Sequence, residues 1–163
     1  MGKSKIIISF FLLWFSFIYC SSKSIRKEIL LLDYTIYIKV PKDFHLLESP
    51  YEEGIYILFF SPSSGSFIFL FKGGLVKLPL VNRNNSEIIQ TKKSRRSYSE
   101  FGKRDSVYFR ETLFIGSEIR AGYDHVYSAD IPKFEKIVKS IKICKNKRNK
   151  DHELRCRIRP SGQ

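Results

Sequence analysis

Two apolar runs, Ile55–Phe60 and Phe67–Phe71, stand on either side of Ser61-Pro62-Ser63-Ser64-Gly65-Ser66. Each run has strand length, is rich in β-branched and aromatic residues, and is apolar on both faces. The six residues between them have turn chemistry. The pattern predicts a hairpin of central strands covered on each side. Leu31–Val40 adds a strand of another kind, half-buried, with Tyr34, Ile36, Ile38 and Val40 on one face and Asp33, Thr35, Tyr37 and Lys39 on the other, ended by Pro41. Gly73-Gly74 closes the second apolar run, Leu75–Val81 reads as a short edge strand, and Asn82-Arg83-Asn84-Asn85 reads as a turn.

Downstream the pattern weakens. Ser106–Ile115 alternates, Gly116 and Gly122 read as punctuation, and Tyr123–Ala129 reads as a last strand. Asp130-Ile131-Pro132 then opens a helix, with Asp130 as the expected cap and Pro in the first turn. Phe134, Ile137, Val138 and Ile141 form its apolar face, while Lys133, Lys136, Lys139 and Lys142 fall outside it. The expected fold class is α+β, a mainly antiparallel sheet with a C-terminal amphipathic helix packed on it. Residues 31–144 are expected to form a single domain.

Residues 1–20 read as an address. Lys3 and Lys5 precede Ile6–Tyr19, fourteen residues without a charge, and Cys20-Ser21-Ser22-Lys23 follows. A basic start, a short apolar core and small residues after it are the parts of a secretory signal. As a helix the segment spans about 22 Å, short of the ~30 Å hydrocarbon layer, which disfavours a retained membrane anchor. Phe17-Ile18-Tyr19-Cys20-Ser21 resembles the lipidation site of bacterial lipoproteins, in which the first mature residue is a cysteine modified on sulfur. It departs from that pattern at Tyr19, where a small residue is usual. The resemblance implies a lipid on Cys20; cleavage after Cys20, Ser22 or Ser24 is the alternative. Residues 21–30 are expected to be a short linker, and residues 145–163 a basic tail.

The closing motif Asp130-Ile131-Pro132-Lys133-Phe134-Glu135-Lys136-Ile137-Val138-Lys139-Ser140-Ile141-Lys142-Ile143, together with Tyr34–Val40 running into a proline, is similar to the PsbP-like family. The resemblance implies an α/β/α sandwich and a non-catalytic exported protein. It departs where that family has a helix after the third strand, because Ser86–Phe101 has a poor amphipathic pattern.

Charge supplies the remaining functional signal. The chain has 29 Lys+Arg against 16 Asp+Glu, a net charge of +13, and removal of residues 1–20 takes away only two lysines. One cluster is Lys92, Lys93, Arg95 and Arg96. A second is the tail, with Lys145, Lys147, Arg148, Lys150, Arg155, Arg157 and Arg159. Such surfaces attract anionic lipid headgroups, acidic glycans or an acidic protein face. Nucleic acid is disfavoured by export and by the lack of an aromatic platform beside the tail. A membrane contact is expected through a lipid on Cys20 or a retained N-terminal segment.

Cys144 and Cys156, with eleven residues between them, form an even pair once Cys20 is lipidated or removed. A bridge there would contribute about 3 kcal/mol. A zinc set of Cys144, His152, Cys156 and His125 is disfavoured, since closely paired ligands are missing. No catalytic motif is present, and no cofactor is expected. His45, His125 and His152 are scattered. Neighbours such as Asp124-His125 on a strand should point to opposite faces. The alternative to a binding module is a small secreted hydrolase using His125 or His152.

Overall fold

The computed structural model describes residues 24–51, 54–73 and 81–146. Its elements are β1 (Ser24–Leu31), β2 (Tyr34–Pro41), β3 (His45–Tyr51), β4 (Gly54–Phe60), β5 (Phe67–Gly73), β6 (Ser86–Lys93), β7 (Ser97–Arg104), β8 (Val107–Phe114), β9 (Ile119–Val126), a 3-10 turn at Ser128–Asp130, helix α1 (Ile131–Lys139) and β10 (Lys142–Lys145). The class is α+β, mostly antiparallel sheet with one short helix among the described residues. The strands form two sheets, of order β1-β2-β10 and β3-β4-β5-β9-β8-β7-β6.

The predicted hairpin is present, with Phe60 directly opposite Phe67. β5 is central and buried on both faces, Ile68 and Leu70 on one side and Phe69 and Phe71 on the other. β4 is covered less, since only Ile57 and Phe59 are buried. The face that the sequence assigns to β2, Tyr34, Ile36, Ile38 and Val40, is buried. It shares one core with Ile57, Phe59, Ile68 and Leu70 of the larger sheet. Phe134 of α1 is 1% exposed and meets the rings of Phe44 and Tyr123 at 5.8 and 5.7 Å. Burying such a ring stabilises by about 1.5–3 kcal/mol.

Several expectations need correction. Residues 21–30 are not a linker throughout, because Ser24–Leu31 is strand β1, paired along its length with β2. Ser86–Arg104, where neither helix nor strand was legible, is the β6–β7 hairpin. Gly122 is not a break between elements; it lies inside β9. Asp130 makes no side-chain cap, because it already has helical backbone angles at the end of the 3-10 turn. α1 stops at Lys139, where the Ser140 hydroxyl donates to the Ile137 carbonyl at 2.6 Å and accepts from the Lys39 N–H at 2.9 Å. The chain then forms β10 on β2, so the helix is not the last element. Among the described residues the second layer is a sheet with one helix beside it, whereas the PsbP-like resemblance implies helices on both sides of a single sheet. The Leu75–Val81 strand and the 1–20 segment lie outside the described residues, apart from Val81, which is buried.

Candidate functional site

The basic cluster at 92–96 occupies the tip of the β6–β7 hairpin. Ser94 fixes that tip: its hydroxyl oxygen accepts from the Arg96 and Ser97 N–H groups at 3.1 and 3.0 Å, and its own N–H donates to the Ser97 carbonyl at 2.8 Å. A serine side chain that mimics a turn in this way makes the tip compact. Lys92, Lys93, Arg95 and Arg96 are all exposed. Among the described residues none of the four forms an ion pair. β6 is also an edge strand, where lysines discourage pairing with another chain, so part of this charge has a purely structural use.

The acids nearby are engaged elsewhere. Arg83 reaches Glu100 and Glu111 at 2.7 and 2.9 Å, Arg120 reaches Glu111 at 2.7 Å, and Arg104 reaches Asp124 at 3.2 Å. On the opposite face of the sheet Arg110 pairs with Glu135, which also accepts from the Tyr123 hydroxyl at 2.8 Å. Burial, and then that bond to Glu135, pushes the Tyr123 hydroxyl pKa up. Glu100, the carboxylate closest to the tip in sequence, is thus spent on Arg83, and the tip keeps its charge.

Lys145, the described member of the tail cluster, shares a pole with the hairpin tip. Lys145 is opposite Tyr34, the Tyr34 hydroxyl donates to the Gly116 carbonyl at 3.2 Å, and the Ile115 N–H donates to the Arg96 carbonyl at 2.8 Å. Lys147, Arg148, Lys150, Arg155, Arg157 and Arg159 lie outside the described residues, as do Cys20, His152 and Cys156. Cys144 is 5% exposed and disulfide-bonded. A bonded sulfur supplies no thiolate, which removes Cys144 from the zinc set. His125 is at the other pole, beside Ser66.

The Asp124-His125 pair departs from the sequence expectation. β9 carries an extra residue opposite β8, since Tyr123 pairs with Arg110 while Val126 pairs with Tyr108. His125 takes a φ of 57° there, and the bulge returns Val126 to the core. The side chains of Asp124 and His125 therefore come to one side, with Nδ1 3.4 Å from the carboxylate. Ser66 is fully buried, and its hydroxyl donates to the His125 carbonyl at 2.7 Å rather than to the ring. His45 is exposed on edge strand β3.

Left-handed backbone costs a residue with a Cβ roughly 1–2 kcal/mol. His125→Gly is therefore expected to unfold at an equal or higher urea midpoint than the wild type. His125→Ala, which keeps the strain and loses the ring packed on Phe67 at 5.6 Å, should unfold at a lower one. A glycine variant weaker than the alanine variant would show that the left-handed backbone does not limit this position.

Residues that the sequence did not single out include the interior arginines and Arg26, whose guanidinium lies 4.4 Å over the Tyr37 ring. An alternating Ile25, Ile29, Leu31 row was the signal for Arg26, since it turns Arg26 outward on a strand. No family model, no curated protein and no solved structure matches the chain.

Proposed function

We propose that this is an exported protein held at the cell envelope by a lipid on Cys20, acting as a non-catalytic binding module for an anionic partner. The observation that supports the reading is the pole bearing Lys92, Lys93, Arg95, Arg96 and Lys145, exposed cations without an ion pair among the described residues. In the same reading α1 is an amphipathic brace, with Phe134 and Ile137 inward and Lys136 and Lys139 outward.

Binding of an acidic polysaccharide such as heparin tests the pole. The full chain should bind at about 0.05 M salt and release at about 1 M, because surface attraction is screened within a few ångströms at the higher value. Changing Lys92, Lys93, Arg95 and Arg96 to glutamine together should weaken binding roughly tenfold or more at low salt. Salt-independent binding, or equal binding by the variant, would remove the pole from the function. The anchor has its own test, the intact mass of the protein from its host. Acyl mass on a chain starting at Cys20 supports it, and a start at Ser21, Lys23, Ile25 or Met1 does not.

The alternative, a hydrolase, draws on the juxtaposed Asp124 and His125. Its weakness is the Ser66 hydroxyl, which is committed to a backbone carbonyl, so a nucleophile has to come from elsewhere.

A further inference from the structure

β1 and β2 pair from Leu31 opposite Tyr34 to Ser24 opposite Pro41. The first end belongs to the basic pole of the hairpin, through the Tyr34 contact with Gly116. The second lies about 23 Å away at ~3.3 Å per residue. Ser24 follows Cys20 by four residues, at most about 14 Å of extended chain. A lipid on Cys20 therefore holds the Ser24 end close to the headgroups, while β6 and β7 belong to the other sheet and turn at the opposite pole.

The outer face of the three-stranded sheet at this end has its own cations. The register sets Arg26 directly opposite Lys39 and sets Lys142 opposite Tyr37. Like charges directly opposite each other weaken a sheet, and neither residue serves the core. Lys39 is joined through its N–H to Ser140, which brings Lys139 beside it, and Lys42 follows at the end of β2. All five cations are exposed, and among the described residues none forms an ion pair. Of the acids at this end, Glu28 accepts from the Tyr37 hydroxyl at 3.4 Å, and exposed Asp43 follows Lys42. Arg26, Glu28 and Tyr37 line an open depression of about 390 Å³.

We infer that this face is a docking surface for anionic lipid headgroups, so that the anchored domain rests its three-stranded sheet on the bilayer and turns the hairpin pole outward. The inference rests on the anchored reading above and adds a second contact to it. A single acyl chain binds a membrane marginally and reversibly, and a basic patch beside it supplies the second signal that stable anchoring needs.

The test uses the mature chain from residue 20 with Cys20→Ser, which reads headgroup contact without the lipid and without the apolar Ile6–Tyr19 segment. It should float with vesicles containing about 30% phosphatidylglycerol in phosphatidylcholine and not with phosphatidylcholine alone. Changing Arg26, Lys39 and Lys142 to glutamine together should lower the partition about a hundredfold, from the usual contribution of each surface cation. The glutamine variant of the hairpin should float like the parent. On vesicles, acylation of the parent should spare Lys39, Lys42 and Lys142 and label Lys92 and Lys93.

Equal flotation with neutral vesicles, loss of flotation in the hairpin variant rather than in the sheet variant, or equal labelling of both lysine sets would overturn the inference. The native mass and the polysaccharide experiment report on the anchor and the pole independently, so failure of the earlier reading is distinguishable from failure of this one.

Discussion

Gly122→Ala is expected to leave the domain without a cooperative unfolding transition. Gly122 is in the middle of β9, with Glu111 of β8 on one side and Phe69 of β5 on the other. A Cβ at this position would stand 1.8 Å from the Arg110 carbonyl oxygen and 2.8 Å from the tip of the Phe69 ring. The first partner is backbone in an adjacent strand, so relief requires the two central strands to part. Their separation breaks ladder hydrogen bonds and uncovers Phe69, which is fully buried. Overpacking usually costs 1–3 kcal/mol, and a clash with ladder backbone belongs above that range, against a total stability of about 5–15 kcal/mol.

Gly65→Ala is the control. Its φ is +67°, but nothing lies within 4 Å of the added carbon, so the expected loss is the left-handed strain alone, roughly 1–2 kcal/mol. Urea titration by far-ultraviolet circular dichroism reads both variants. A Gly122→Ala protein that unfolds cooperatively with a loss near that of Gly65→Ala would mean that β8 and β9 can shift apart without cost.

The sequence reading of Gly122 shows why parts of this fold are legible and others are not. Periodic burial is readable when one face of a strand is apolar, as in β2, or both are, as in β5. Glycine in a strand reads as a break, although here its missing side chain is what lets the Phe69 ring lie across β9. β6 has no readable face because it is an edge strand exposed almost throughout. β7 fails for a different reason. On one face it carries Tyr98, Glu100, Gly102 and Arg104, of which Glu100 and Arg104 are held by ion pairs, and on the other Ser97, Ser99, Phe101 and Lys103, of which Phe101 packs on the core. A strand held partly by ion pairs carries no apolar alternation. β1 does alternate, at Ile25, Ile29 and Leu31, but Lys27 interrupts the row, and the stretch directly follows a targeting segment.

The candidate surfaces divide in the same way. The hairpin cations are consecutive in sequence and were visible as a cluster. Arg26, Lys39 and Lys142 are far apart along the chain and become neighbours only through register. The Asp124-His125 geometry depends on a one-residue bulge, which no period of two or 3.6 encodes.

Glu111→Gln should destabilise the domain by about 3–5 kcal/mol, the usual cost of removing one partner from a buried ion pair. Glu111 is 2% exposed and directly opposite Glu100, an arrangement of like charges that β7 and β8 tolerate because Arg83 reaches both. Arg83 in turn lies 4.8 Å over the Phe109 ring, with its Nε and Nη1 buried and without hydrogen-bond partners. Arg120 adds its own bond to Glu111 at 2.7 Å. The surroundings are dry enough to push the Tyr56 hydroxyl up to about 12, by burial first and then by the Asp124 and Glu111 carboxylates. Glutamine keeps the shape and removes the charge, which leaves Arg83 with Glu100 and deprives the Arg120 guanidinium of its Glu111 counter-charge.

If the lost Glu111 counter-charge is the source of the loss, replacing both Glu111 and Arg120 with leucine should cost less than Glu111→Gln alone, since an apolar pair removes the desolvation penalty of both groups. Urea midpoints of the single and double variants decide the matter. A single variant within about 1 kcal/mol of wild type would show water reaching the network, and a double variant weaker than the single would show that the ions organise this face of the sheet beyond neutralising each other.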